Sequence, residues 1–238
     1  GDTTVGGKRA WITSEHSNAF AFCFMTLLFY AFFVSVAAGT SITRDEELQV
    51  GELLHTTGLR SGEYVWGKFA GVAASFLVVL GVHVAATVFF HYVIPMEDAD
   101  KLRGPFALRH YLLPAAFVAV PTIVFLTGLT FWLGERTRRP VVVLLFPVAL
   151  VMLCIFFFWE WDPAWLDPSL DRVLLFLDPS GYRWLNESLF KVDRGVDYYN
   201  TQPARWPAGY LASRAIFLVL GLTGVAWSQR HFARTLHA

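Results

Sequence analysis

The chain has 238 residues, of which 55% are hydrophobic and only 16% charged, and its 19 basic and 19 acidic side chains cancel to a formal charge of zero. The mean hydropathy is +0.47. Soluble domains carry about 25% charged residues, so this composition excludes a disordered chain and a nucleic-acid binder. Two cysteines against 22 phenylalanines exclude a disulfide scaffold. Cys23 and Cys154 both sit in apolar runs, where a thiol is usually a small inert hydrophobe.

A bilayer core about 30 Å thick takes ~20 apolar residues in a helix, because lipid offers no partner to an unpaired backbone group. Five stretches meet that length: Ala19 to Gly39, Phe69 to Val93, Tyr111 to Gly134, Val141 to Trp159 and Ala208 to Trp227. Their ends carry Tyr64, Trp66, Tyr92, Trp132, Trp159, Trp206 and Tyr210, rings suited to the membrane boundary. The only Asp, Glu, Lys or Arg inside them is Arg214. The fold class is therefore an all-α polytopic membrane protein, one transmembrane domain over residues 1–238. Pro114, Pro121 and Pro147 lie within spans, where kinks are expected. Arg136, Arg138 and Arg139 after the third span and Arg230 and Arg234 after the fifth share one side, which the positive-inside rule makes cytoplasmic. The opposing loop has Lys101, Arg103 and Arg109, so that bias is incomplete. The first residue is Gly1 rather than Met and no signal pattern follows, which leads to the expectation of a sixth span upstream.

Between the first two spans lies Thr43 to Lys68, too charged to cross a membrane. Thr43 with Glu46 has the spacing of a capping box. Val50, Leu53, Leu54 and Thr57 recur at helical spacing, and Gly58 supplies a stop. This predicts a separate amphipathic helix over 44–58, roughly 21 Å long. Its polar face carries Asp45, Glu46, Glu47 and Glu52. A helix that merely anchors in anionic headgroups is usually basic, so an acidic one favours docking on a protein partner.

Here the chain resembles a family. Arg44, Glu46, Glu52-Leu53-Leu54, Thr57, Leu59, Glu63, Val65 and Gly67-Lys68 look like the cytoplasmic loop of type-2 ATP-binding-cassette permeases. Where those commonly have Gly-Thr and Pro, this chain has Gln49-Val50 and Gly58. The resemblance implies that Arg44, Glu46, Glu47, Glu52, Leu53, Leu54, Thr57 and Gly58 form a coupling helix fitting a cleft on a cytoplasmic ATPase subunit. It implies a second permease as homo- or heterodimer partner, and ATP and magnesium bound by the ATPase, with no cofactor in this chain. Asp178-Pro179-Ser180-Gly181, the stretch through Tyr199-Asn200-Thr201, and Ser213-Arg214 look like the members of that class found fused to or beside an aminopeptidase.

Gly62 to Lys68 has the spacing of a phosphate-binding loop, but Phe69 follows where Ser or Thr would ligate magnesium and no buried strand precedes it. Any ATP chemistry must then belong to another polypeptide. The seven histidines show no paired i, i+4 spacing around a Glu, so no metal site is expected. His83 lies deep in a span. It is a candidate for the transport pathway, against the commoner case of a His bonded to a neighbouring helix. Arg214 is the other pathway candidate, although a position about two turns inside the last span lets an arginine snorkel outward as an orientation anchor. Ser75 with His83 is the nearest approach to a hydrolase pair.

Residues 160–207 form a polar cap between the last two spans. The Asp-Pro steps at Asp162, Asp167 and Asp178 each offer a carboxylate cap with proline at the first helical position. They predict short helices from Ser169 to Phe176 and from Ser180 to Phe190. The cap either closes a pathway, as the resemblance implies, or is a folded lid without contact to cargo. The functional expectation is a multi-pass permease subunit of an ATP-driven exporter in a bacterial inner (plasma) membrane, not itself an enzyme, with its C-terminus cytoplasmic. The alternative is a non-transporting anchor or scaffold of an envelope complex.

Overall fold

The computed structural model describes residues 11–47, 60–95, 99–159, 167–187 and 194–236, with backbone only at 42–47, 168 and 234–236. No strand occurs among the described residues. Five helices are long and apolar enough to cross a membrane. They are α1 (Glu15–Met25 and Ala31–Glu47, joined by a π-turn at Thr26–Tyr30), α2 (Ser61–Tyr92), α3 (Arg109–Thr137, with a π-turn at Ala115–Ala119), α4 (Pro140–Leu153 with a π-turn at Cys154–Trp159) and, last in the chain, Ala208–Leu236. Before the last comes α5 (Pro168–Leu177); the last is α6. One-turn helices occur at Ala99–Leu102, Tyr182–Leu185 and Val196–Thr201.

The helices α1, α3 and α6 run parallel and make the core. Tyr210 donates to the carbonyl of Phe117 at 3.4 Å near the start of α6, and His231 meets Glu135 at 3.2 Å near its end, so the two helices keep step along their length. Between those points Gly128, Gly221 and Gly224 bring the backbones into contact. A Cβ on Gly128 would stand 1.9 Å from the carbonyl oxygen of Gly221, and one on Gly221 would stand 2.6 Å from that of Val124. Close approach through small residues is how membrane helices gain packing without a hydrophobic force between them. Ser35 and Thr130 share a hydrogen bond of 3.2 Å between α1 and α3. Phe22, Val34, Ile123, Leu126 and Phe217 fill the space between the three. The apolar windows of α2 and α4 are only 17% and 22% buried against 61% for α3. Their exposed Val78, Val82, Phe90, Val141, Leu145 and Phe156 form the surface suited to lipid.

Two boundaries differ from those read in the sequence. α1 continues to Glu47, so Thr43 is not an N-cap and no separate helix begins at Arg44. Gly39, the end of the apolar stretch, lies within this helix and serves packing, since a Cβ there would lie 1.9 Å from Val143 Cγ1. Thr40 and Ser41 donate back to Val36 and Ala38 at 2.8 Å, which keeps their hydroxyls from competing for free backbone amides. α2 begins at Ser61 instead of Phe69, with the Glu63 carboxylate accepting from the Arg60 amide at 3.1 Å. Tyr64, Trp66 and Lys68 thus lie on the spanning helix, and Gly62 to Lys68 is helical rather than a loop. α3 ends on Arg138 in the left-handed region at φ 51°, and Pro140 opens α4.

Gly221→Ala should lower stability by about 1–3 kcal/mol through overpacking. Gly71→Ala faces open space and should be neutral or gain up to ~1 kcal/mol from helix propensity. Thermal unfolding of both variants in detergent checks this, and equal midpoints would contradict the glycine crossing.

Candidate functional site: a buried loop gripped by three spans

The described part of the segment between the last two spans folds back onto the bundle at Asp178 to Gly181. Asp167 caps α5 by accepting from the Ser169 amide at 2.7 Å. These bonds from Ser169 hold its carboxyl below the ordinary carboxylate range. That cap is therefore in place above the ordinary range and is lost as pH falls through the lowered value. Asp178 behaves differently from the expectation of a second N-cap. Its Oδ1 accepts from the amide of Ser180 at 2.9 Å and from the Ser180 hydroxyl at 2.6 Å, and its Oδ2 from the amide of Arg183 at 2.8 Å. The result is a side-chain-closed turn. It needs Gly181 at φ 77°, and helix starts only at Tyr182 instead of Ser180, while the expected end at Phe190 lies outside the described residues. A Cβ on Gly181 would also press within 3.1 Å of the Tyr210 ring.

This turn sends three successive backbone carbonyls into the protein interior, where each requires a donor. Arg214 of α6 donates through Nη2 to the Asp178 carbonyl and through Nη1 to that of Pro179 at 2.8 Å. Thr122 of α3 adds a bond to the Pro179 carbonyl at 3.2 Å. Cys23 of α1 donates to the Ser180 carbonyl at 3.3 Å. The donors thus come one from each core helix. Trp159, at the end of α4, donates to the Ser180 hydroxyl at 3.0 Å, and Ser213 donates to the Phe176 carbonyl at 3.1 Å. Arg183, 4% exposed, pairs with Asp171 and donates to the Phe158 carbonyl at 3.2 Å, which fixes α5 to α4.

Arg214 does not snorkel. It is 2% exposed, and its guanidinium lies 5.3 Å from the centre of the Tyr210 ring and 5.0 Å from that of Phe217. The segments singled out in the sequence, Asp178 to Gly181 and Ser213-Arg214, therefore meet although about 35 residues separate them. Tyr199-Asn200 meets the start of α1 nearby. Asn200 accepts from the Trp11 amide at 2.7 Å, Tyr199 packs edge-on against His16 at 5.5 Å, and Trp206 donates to Glu15 at 2.8 Å.

His83 is half-buried on α2, with Nδ1 3.3 Å from the Tyr30 hydroxyl of α1 and its ring 5.1 Å from Phe22. Ser75 does not approach it; its hydroxyl donates to the Gly71 carbonyl at 2.8 Å. Of the coupling residues, Arg44, Glu46 and Glu47 stand on the last turn of α1, while Glu52, Leu53, Leu54, Thr57 and Gly58 lie outside the described residues. Among the described residues no three His, Cys, Asp or Glu converge as a metal site would require. Sequence reading missed Thr122 and Cys23. Each looks like an ordinary apolar-run residue until a carbonyl from elsewhere is set against it.

The fold and this site define an all-α polytopic membrane protein in which the segment between the last two spans is tied into the bundle at Asp178 to Gly181. No family model matches the chain, and no curated protein or solved structure matches it.

Replacing Arg214 by Met would leave the buried Asp178 carbonyl without its donor and the Pro179 carbonyl with Thr122 alone, at a cost of about 1–3 kcal/mol. Residues 160–207 should then become a site of rapid proteolysis, whereas Arg139→Gln should leave the digestion pattern unchanged. Equal protease resistance of the Arg214 variant and the parent would contradict the arrangement.

Proposed function

We propose that the chain is the permease subunit of an ATP-driven exporter, working with a second permease and with cytoplasmic ATPase subunits that hold the ATP and magnesium. The reading rests first on the resemblance of Arg44 to Lys68 to the coupling segment of type-2 permeases. The observation that carries it mechanically is the continuity of helix through Glu47 and from Ser61. A partner that moves Glu47 or Ser61 moves the spans themselves, because each lies on a spanning helix. At the same end, Trp66 donates to Gln229 at 2.8 Å and Tyr64 stacks on Phe232 at 5.1 Å, joining α2 to α6. The Lys68 ammonium donates to the Ser41 carbonyl, joining α2 to α1. Force applied between residues 47 and 61 is therefore delivered to α1, α2 and α6 together.

In this reading ATP binding favours one arrangement of the two permeases, and hydrolysis favours the other. The coupling residues must make different contacts in the two states, because a partner shifts an equilibrium only by its differential affinity. Glu46, Glu47 and Glu52 supply charge for an ATPase cleft, and Leu53 and Leu54 supply apolar contact. The bacterial inner membrane, with the Arg138-Arg139 turn and the end of α6 inside, is the location that accords with this.

The double variant Glu52→Arg with Leu53→Asp should abolish co-purification of an ATPase from native membranes while leaving insertion of the chain intact. Retention of a stoichiometric ATPase by the variant would contradict the coupling role. Absence of any ATPase from the unsubstituted chain would favour the anchor or scaffold reading instead.

A further inference from the structure

Two turns beyond the glycine crossing, α3 and α6 enclose a cavity of about 300 Å³ that the exporter reading does not use. Trp132 and Trp227 flank it, with ring centres 6.5 Å apart. It is lined by Glu135, 6% exposed, and the more exposed His231, whose Nδ1 lies 3.2 Å from Glu135 Oε1. Arg136 and Arg230, both exposed, line it too, and neither makes a hydrogen bond or ion pair among the described residues. Arg136 is in the last turn of α3, and Arg230 lies near the end of the apolar part of α6.

Indole rings settle at the depth of lipid headgroups. The guanidinium fork matches two oxygens of a phosphate. Two such forks on adjacent packed helices, facing one concave space between two indoles, make a cationic seat at headgroup depth. The Glu135 carboxylate also lines this space and would repel an anion, but it is 6% exposed and hydrogen-bonded to His231, and the two exposed arginines outnumber it. One and two turns down α6 from Trp227, on the same face, lie Thr223, Leu220 and Val219, the last two exposed at 49% and 61%. That is an apolar track for a chain continuing from the headgroup.

We infer that this cavity binds the phosphate of an anionic phospholipid between Arg136 and Arg230, with an acyl chain along Leu220 and Val219. The site is independent of whether the chain works with an ATPase.

The test is native mass spectrometry of the full chain released from nanodiscs of equal parts phosphatidylglycerol and phosphatidylcholine. The unsubstituted chain should retain one phosphatidylglycerol in preference to phosphatidylcholine, by about fivefold for each arginine. The double variant Arg136→Gln with Arg230→Gln should retain both lipids alike. The double variant Arg138→Gln with Arg139→Gln removes the same charge from the same end and should keep the preference. Equal loss in both double variants would reduce the effect to general surface attraction and overturn the site. So would a lack of preference in the unsubstituted chain. Displacement of the lipid by millimolar inorganic phosphate would make the occupant a free phosphate and overturn the lipid assignment. Unchanged unfolding midpoints of the variants exclude loss of fold as the cause.

Discussion

The guanidinium of Arg214 is the group on which the end of the bundle at Asp178 to Gly181 depends. An arginine in the apolar part of a bundle is costly unless its donors are used. Here its two Nη groups meet the carbonyls of Asp178 and Pro179, backbone groups that are themselves costly to bury without donors, while its Nε has no partner among the described residues. Each liability offsets most of the other, and the offset holds only while the loop and α6 stay in place. Thr122 and Cys23 extend the same logic to α3 and α1, so one turn of backbone serves as a common tie for the three parallel helices. A polar segment that could have stood in solvent becomes part of the core instead.

The other end of the bundle is organised by different means. At the glycine crossing the backbones of α3 and α6 touch, and beyond it the large side chains Trp132, Glu135, Trp227 and His231 occupy and line the space between the helices. Ties by Trp66, Tyr64 and Lys68 draw α2 against α6 and α1. The end at Asp178 to Gly181 is thus fixed by backbone carbonyls and the end at Trp66 and Trp132 by side chains. A side-chain contact can be exchanged for another with less loss than a buried carbonyl can be exposed.

The five spans are legible because a bilayer imposes a length and a polarity that composition alone reports, and Asp167 with Pro168 announces α5 for a local reason. What escapes local reading is whatever a distant group decides. Thr43 and Glu46 have the spacing of a helix start, yet the helix is already running, and nothing at Ile42 or Thr43 breaks it. Gly39, where the first apolar stretch ends, is a packing residue for Val143. Asp178 resembles Asp167 in sequence and closes a turn instead, since its neighbours' carbonyls are claimed by Arg214, Thr122 and Cys23. Arg214 itself resembles an anchor near a helix end. The pairing of Ser213-Arg214 with Asp178 to Gly181 could be picked out as two noteworthy segments, but only the fold brings them together.

Hydrogen–deuterium exchange of the chain in a lipid nanodisc tests the buried turn most directly. The amides of Ser180 and Arg183, bonded to the Asp178 carboxylate inside the bundle, should exchange as slowly as those in the middle of α3. Exchange of these two amides as fast as at an exposed loop would mean that the turn lies outside the bundle, and that Arg214 is not what holds it.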